Sequence, residues 1–392
     1  MKRLLRISFD TLLISFTPIL CYFLLGILVD KNLINIFSLV YPMQFVISSV
    51  LAIFGTGANI HAIRDKNKHS VFSGFIIGSL LVFLIVLIIT LNIDKYISFM
   101  NMEISTYKVF AIYAVLQMFM QSVLNLILCK MYYENNNTKA NKYSFSFNII
   151  NFVSLIGMSI FTKNQILIAS TALTFLGIFT LFMIFRNIKI TKFKINILKC
   201  IKYDSFYLFS EICHFLIFLF SFKNAFEFGA QYILAISFTT LITDAQWDMC
   251  HSVKTVAGID ITKKCFSYKN HIKNGQNLSF LLVLSSIILG LILYPFYKTN
   301  ISATLLILGI ELTCLLLYPI YITKLTFIQL ELSAKQATTA KLTASLLRVF
   351  CSFIPSPYCA SIGLAVSVIY QLASTQYIIR KNKLSLEMTS SQ

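Results

Sequence analysis

Ionisable side chains inside apolar segments are the residues of this 392-residue chain that could do chemistry. An ionisable group near the centre of a bilayer costs about 2.5–3.5 kcal/mol, so such groups normally face a cavity or one another. Six of them fall within apolar segments of the second half of the chain: Glu211, His214, Asp244, Asp248, Glu311 and Arg348. Their concentration in one half predicts a shared polar site there.

The spacing of these residues indicates which of them share a helix face. Glu211 and His214 are three residues apart, and Asp244 and Asp248 are four apart, so each pair lies on one side of its helix. Arg348 can neutralise one carboxylate by a bidentate contact. The acids left over suit a proton, Na⁺ or a cationic substrate. We expect Glu211 to be the coupling carboxylate, and we assign any Na⁺ to Glu211, Asp244 and Asp248.

Structural roles for the same residues stay open. Glu211 and His214 could form a purely structural pair, and the two aspartates of the next helix could be solvated near its cytoplasmic end. Glu311 and Arg348 fit an inter-helix salt bridge as well as a gate. Asp30 is the candidate of the first half, where it fits either an ion or proton site or a helix end at the outer surface.

The elements that must position these residues are membrane helices. The chain is 57% hydrophobic and only 12% charged, with 36 Phe, and a transmembrane helix needs about 20 mainly apolar residues. We therefore predict an all-α polytopic membrane protein with about twelve spans. Apolar windows place them near 10–29, 35–62, 70–92, 105–129, 143–161, 165–185, 204–222, 229–256, 277–297, 302–323, 337–354 and 358–379.

A polar basic stretch at 186–202 divides these spans into six and six. We predict an N-terminal lobe at 1–190, a cytoplasmic basic linker at 191–202 and a C-terminal lobe at 203–392. Alternate loops carry 26 of the 33 Lys and Arg residues. This bias predicts that both termini lie in the cytoplasm and that the number of spans is even. It also accounts for the net charge of +18 without nucleic acid as a partner. We expect the membrane to be a bacterial-type plasma membrane.

The two halves resemble copies of one another. A shift of 197 residues lays residues 133–151 over a similar segment of the second half, so that Asn151 falls on Arg348. Both halves begin on the same side of the membrane, so the repeat is parallel, as in two-lobed alternating-access transporters.

Several kinds of site are missing from the sequence. The nine cysteines form no CxxC motif and no Cys/His cluster, so neither a disulfide framework nor a zinc site is indicated. The sequence has no Walker A, HExxH or GxSxG motif. We therefore expect no enzyme activity and no cofactor apart from a coupling Na⁺ or H⁺.

Four segments resemble the multidrug and toxic compound extrusion (MATE) transporters, within the superfamily that includes lipid-linked sugar flippases. They are Pro18 followed by GILVDKN at 26–32, FGTGAN at 54–59, YLFSEICHFLIF at 207–218, and the segment 233–258. The resemblance implies a MATE-like fold in two parallel lobes, and it places the membrane-embedded Glu of the family's seventh helix at Glu211.

Three functions follow from these observations. The first is a cation-coupled antiporter that exports a small amphipathic or cationic compound in exchange for Na⁺ or H⁺, working as a monomer with membrane lipid around it. The second is a flippase for a lipid-linked saccharide or another amphiphile, for which Arg348 would be the central cation. The third is a membrane enzyme or accessory immunity protein that has kept a degenerate transporter fold.

Overall fold

The computed structural model describes residues 2–30, 33, 36–99, 103–297 and 300–390. Every regular element within these ranges is helical. The described part of the chain forms two compact units. We call Phe9–Ile201 the N-terminal unit, and Met1–Ser8 with Lys202–Gln392 the C-terminal unit.

The N-terminal unit contains most of α1 and all of α2 to α8. Its helices are α1 (Lys2–Leu28), α2 (Ile36–Leu51), α3 (Ala58–Arg64), α4 (Ser70–Leu91), α5 (Ile93–Phe99), α6 (Ile104–Tyr133), α7 (Asn137–Phe161) and α8 (Gln165–Asn187). A π-helical segment, Ala52–Gly57, joins α2 to α3 without a break, so these three elements form one span.

The C-terminal unit contains most of α9 and the five helices that follow it. They are α9 (Ile197–Phe228), α10 (Ala230–Thr262), α11 (Tyr268–Tyr297), α12 (Ile301–Phe327), α13 (Ala334–Ser352) and α14 (Cys359–Ser390). A second π-helical segment, Ile328–Leu332, extends α12. Gly229 separates α9 from α10 with a φ of 113°, a backbone conformation that glycine adopts without steric cost.

Eight helices in the described part of the chain are long and apolar enough to cross a membrane, and α1 and α9 contain shorter apolar stretches. The other two long helices are α10 and α13. They carry three of the six ionisable residues predicted to form a site: Asp244, Asp248 and Arg348. Six long membrane helices thus lie in each half. The predicted all-α architecture with about twelve membrane helices is confirmed, and the chain is a multi-pass membrane protein.

The predicted windows match these helices one for one, but most helices are longer than their windows. For example, α6 continues to Tyr133, and α11 begins at Tyr268. The added turns are polar, so hydropathy could not detect them. The short helix α5 was not predicted.

The unit boundaries fall inside helices. The division after Ile201 lies within the first turns of α9, and the backbone of α9 leaves helical geometry shortly afterwards at Asp204. The first two turns of α1, residues 2–8, cluster with the C-terminal unit although the sequence places them in the first lobe. Two contacts hold them there: Arg3 pairs with Asp260, and Ser8 hydrogen-bonds to Ser252.

Helices pack in the same pairs within the two units. In the N-terminal unit α6 contacts α2, α4 and α8, and α7 contacts α8. In the C-terminal unit α12 contacts α10, α11 and α14, and α13 contacts α14. Glycines allow some of the closest approaches: a Cβ added at Gly275 of α11 would come within 2.7 Å of Pro319 in α12. The repeated pairing agrees with the internal repeat seen in the sequence.

Candidate functional site

The six ionisable residues predicted to form a site all lie in the C-terminal unit. Glu211 and His214 lie on α9, Asp244 and Asp248 on α10, Glu311 on α12, and Arg348 on α13. Helices α10 and α12 pack against each other in this unit. Four helices therefore supply the side chains of the candidate site.

Glu211 is the most deeply buried member of this group on α9, with 3% of its surface exposed. One turn later, His214 directs its Nδ1 towards Glu211, 3.7 Å from Oε1. The preceding residue, Ser210, accepts a hydrogen bond of 3.2 Å from Ser345, which joins α9 to α13. The carboxylate is thus held away from water beside an imidazole and next to the helix that carries Arg348.

His214 also contacts the guanidinium group of Arg348, whose Nη1 lies 3.3 Å from Nε2 of the imidazole. A guanidinium nitrogen can only donate, so Nε2 must accept. The proton of a neutral His214 then lies on Nδ1, facing Glu211. A doubly protonated imidazole would oppose donor to donor at Arg348. The geometry therefore fixes the tautomer that points a proton towards the buried carboxylate.

Glu311 of α12 has a different partner from the one expected. Its Oε2 accepts a 2.8 Å hydrogen bond from the indole N–H of Trp247, the single Trp of the chain. The expected bidentate contact is not made: among the described residues, no ion pair within 4.0 Å joins Arg348 to a carboxylate. The charge of Arg348 still acts on Glu311 across a longer distance.

An aromatic group adjoins this hydrogen bond. The ring of Trp247 meets Tyr318 edge to face at 5.6 Å, and His251 approaches the same Tyr318 ring at 5.2 Å. Tyr321, one turn on, packs against Tyr318 at 5.2 Å. Such rings attract organic cations through their negative faces. This aromatic group was not predicted, because its rings come from α10 and α12 and no spacing within one helix indicates that they meet.

The two aspartates of α10 differ in exposure. Asp244 is buried, with 5% of its surface exposed. The side chain of Asp248 is 32% exposed and lies 3.5 Å from Nδ1 of His251. The charges of both Asp248 and His251 act on Glu211. The structure thus brings Glu211, Asp248 and His251 into one electrostatic group.

Two lysines belong to the interior and not to the cytoplasmic loops to which the sequence analysis assigned them. Lys341 of α13 is only 7% exposed, and its charge acts on Glu211. Lys254 of α10 forms an ion pair of 2.8 Å with Asp204, which is 1% exposed. Arg348 is therefore not the single interior cation. Lys341 and Arg348 are seven residues apart on one face of α13, and this spacing was the signal available in the sequence.

The corrected charges still leave an excess of acids. Once Lys254 is paired with Asp204, the residues of the candidate site comprise four carboxylates and two fixed cations. The carboxylates are Glu211, Asp244, Asp248 and Glu311; the cations are Lys341 and Arg348. The excess of carboxylates over cations is smaller than the sequence indicated, because Lys341 is a second cation of the site.

Asp30 lies in the N-terminal unit, two residues after the end of α1, where its carbonyl accepts a hydrogen bond from Leu33 N. No group of three or more His, Cys, Asp or Glu residues suited to a metal ion occurs among the described residues. The assignment of Na⁺ to Glu211, Asp244 and Asp248 stays a prediction.

No family model and no curated protein matches this sequence. Among solved structures, the chain is similar to a MOP superfamily transporter from Pyrococcus furiosus whose binding pocket of reverse polarity suggests a different function. The TM-score is 0.73 at 15% identity, over 97% of this chain and 96% of that one.

Two further structures are similar over almost the same length. An outward-facing multidrug resistance MATE family transporter has a TM-score of 0.73 at 15% identity, over 97% of this chain and 96% of that one. A MATE protein in the bent conformation has a TM-score of 0.72 at 15% identity, over 100% of this chain and 97% of that one. The chain therefore has the fold of the MATE transporters, as its sequence motifs indicated.

Proposed function

We propose that this protein is a secondary active transporter that exports a small amphipathic or cationic compound in exchange for Na⁺ or H⁺ by alternating access. The observation that carries the proposal is the series in which the buried Glu211 faces His214 and His214 contacts Arg348, in the C-terminal unit of a MATE fold. A buried charge of this kind is costly and is retained in membranes mainly for ion or substrate binding.

Glu211 is the proposed coupling group. In its ionised form it faces the Nδ1–H of His214, while His214 accepts from Arg348. A proton or Na⁺ bound at Glu211 cancels the negative charge that acts on His214 and Lys341. Occupancy of one carboxylate therefore changes the electrostatic balance across α9 and α13, which is the differential interaction that a coupled conformational change requires.

The substrate is proposed to be a cation because of two features beside the coupling group. Four carboxylates exceed the two fixed cations, and the rings of Trp247, Tyr318 and Tyr321 adjoin Glu311. An amphipathic cation can place its charge near the carboxylate and its apolar part against the rings. We propose no cofactor apart from the coupling ion, a monomeric state, a plasma membrane location and cytoplasmic termini.

A second candidate function is favoured by Lys341. A flippase for a lipid-linked saccharide needs interior cations to hold a phosphate-bearing head group. Lys341 and Arg348 lie two turns apart on α13, and both act on the charge of the site. This candidate is stronger than the sequence alone indicated, although the excess of carboxylates still favours the antiporter.

The test is transport in proteoliposomes with imposed Na⁺ or H⁺ gradients, with a cationic dye as the first substrate and a lipid-linked sugar as the second. We expect dye transport that depends on one gradient and is lost in Glu211→Gln, because Gln retains hydrogen bonding but cannot exchange charge. Asp248→Asn should show a similar loss, and the double variant should lose no more than either single one.

Glu134→Gln is the matched control, because Glu134 carries the same side chain in an exposed position between α6 and α7. It should transport as the wild type does. Wild-type coupling in Glu211→Gln would make that carboxylate structural. Gradient-independent movement of the lipid-linked sugar, with no dye transport, would replace the antiporter by the flippase.

A further inference from the structure

The first turn of α9 lies in the N-terminal unit and is held there at two points. Asp65, just after α3, accepts from His61 Nδ1 at 2.6 Å and forms an ion pair of 3.1 Å with Lys199 Nζ. Eight residues before Asp65, the backbone of Cys200 lies against Gly57, where an added Cβ would come within 2.4 Å of the Cys200 carbonyl oxygen. Only glycine permits this approach.

The first turns of α1 are held in the same way within the C-terminal unit. Asp260, near the end of α10, pairs with Arg3 of α1, and His271 Nδ1 lies 3.8 Å from its other oxygen. Eight residues before Asp260, Ser252 hydrogen-bonds to Ser8 with an oxygen separation of 2.6 Å. An Asp, a His and a cation from a helix start thus recur in each unit.

The aspartate and the cation of the two arrangements are related by the internal repeat. The two histidines are not, because His61 precedes Asp65 by four residues and His271 follows Asp260 by eleven. A spacing of 195 residues separates Asp65 from Asp260, and 196 residues separate Arg3 from Lys199. The sequence repeat has nearly the same offset. In each unit the contact fastens the end of the second span to the start of a helix that continues into the other unit. Twofold recurrence at one offset indicates a feature of the fold rather than two chance surface pairs.

We propose that these contacts are two equivalent ionic latches that open and close during transport. The Asp65 latch consists of His61, Asp65 and Lys199, and the Asp260 latch consists of Arg3, Asp260 and His271. Helices α1 and α9 each cross the boundary between the two units, after Ser8 and after Ile201. A movement of one unit relative to the other must therefore either bend these helices at the boundary or pull their starts out of the contacts. The ion-paired side chains are 19% to 50% exposed, so the pairs are weak enough to break reversibly. The proposal rests on the transport function proposed above.

Thiol labelling from the cytoplasmic side tests the latches without any transport assay. Cys200 and Ser8 are both fully buried, so one variant keeps Cys200 as its single thiol and another carries Ser8→Cys in a cysteine-free chain. Asp65→Asn should speed labelling of Cys200 about threefold to fivefold, the factor for an ion pair of this exposure. Asp260→Asn should do the same for the thiol at position 8, and neither should affect the other site.

Charge exchange separates the latch from general loosening of the fold. Arg3→Asp combined with Asp260→Arg should restore slow labelling at position 8, whereas each single change should not. Glu134→Gln, which removes an exposed acid distant in sequence from both helix starts, should leave both rates unchanged. Equal labelling rates in the wild type and both Asn variants would overturn the proposal, and so would acceleration in the Glu134→Gln control.

A reversible cross-link tests whether the Asp260 latch must open. Because the side-chain oxygens of Ser8 and Ser252 are 2.6 Å apart, the pair Ser8→Cys and Ser252→Cys should form a disulfide. We expect oxidation to stop dye transport and reduction to restore it. Transport at the same rate in the oxidised protein would show that this latch stays closed. A wild type that transports nothing would contradict the proposed function but leave the labelling result standing.

Discussion

Asn151 in α7 and Arg348 in α13 occupy equivalent places in the two halves of the chain, 197 residues apart. Asn151 is 1% exposed and accepts a hydrogen bond from the Tyr113 hydroxyl of α6. Arg348 contacts His214, which faces Glu211. The same helix position thus carries a neutral, satisfied pair in the N-terminal unit and one end of a charged series in the C-terminal unit.

This difference indicates separate roles for the two units. A neutral pair of Tyr and Asn keeps the same charge at any ion gradient, so it can stabilise packing but cannot sense an ion. A carboxylate, an imidazole and a guanidinium in contact can exchange a proton or an ion and change their mutual attraction. We therefore expect substitutions in the N-terminal pair to affect folding, and those in the C-terminal series to affect coupling as well.

The largest effect on stability is expected when a cation is introduced into the neutral pair of the N-terminal unit. Asn151→Arg places a cation where no carboxylate is near in sequence and removes the acceptor of Tyr113. The cost should be about 3 kcal/mol or more, and little folded protein should survive detergent extraction in size-exclusion chromatography. Asn136→Arg, at an exposed helix start with no capping hydrogen bond, is the control. A folded Asn151→Arg protein would mean that the N-terminal unit tolerates charge as the other unit does.

Removal of the Arg348 charge from the C-terminal unit should lower the free energy of unfolding somewhat less. Arg348→Ala removes the cation that acts on Glu311 and that contacts His214. Because Arg348 is half-buried, we expect a loss of about 2–3 kcal/mol of unfolding free energy. Thermal unfolding in detergent measures it. Arg348→Lys should recover part of the loss by keeping the charge. If Arg348→Ala has the same melting temperature as the wild type, Arg348 is not a counter-ion of the site.

The helices and their approximate ends were predictable because twelve apolar runs of sufficient length leave little choice in a bilayer. Glu211, His214 and Arg348 were predictable as interior residues because charge inside an apolar run is rare. Lys341 was missed because it lies near a helix start, where a lysine ordinarily reaches the cytoplasm.

Contacts between helices could not be read from the sequence. The pairing of Glu311 with Trp247, in place of Arg348, depends on how α10 and α12 pack, and no spacing within one helix specifies it. The contacts of Arg3 and Ser8 with α10 likewise join residues about 250 positions apart. Such long-range contacts are set by tertiary packing, which local patterns do not encode.

Removal of a single buried hydrogen bond should lower the stability of either unit by a moderate amount. Trp247→Phe keeps the edge contact with Tyr318 but leaves Glu311 without its donor, at a cost of about 1–2 kcal/mol. Tyr113→Phe leaves Asn151 without its donor, at about 0.5–1.5 kcal/mol. The two should differ in function: dye transport should fall in Trp247→Phe and remain in Tyr113→Phe at a temperature where both are folded. Loss of transport in both would contradict the separate roles of the two units.

The smallest effect concerns the charged group of the N-terminal unit that lies outside the membrane. Partial burial of Asp65 opposes its ionised form, but hydrogen bonds from Lys199 and His61 outweigh it and lower the pKa of the carboxyl below its ordinary value of 3.8. Because the folded pKa is the lower one, the stabilisation is present above about pH 4 and is lost as the pH falls through the folded value. As for surface ion pairs, Asp65→Asn should cost less than about 1 kcal/mol at pH 7. Its melting temperature should approach that of the wild type as the pH is lowered from 5 to 3. A difference that persists unchanged at pH 3 would show that the carboxylate charge does not contribute to the stability of this unit.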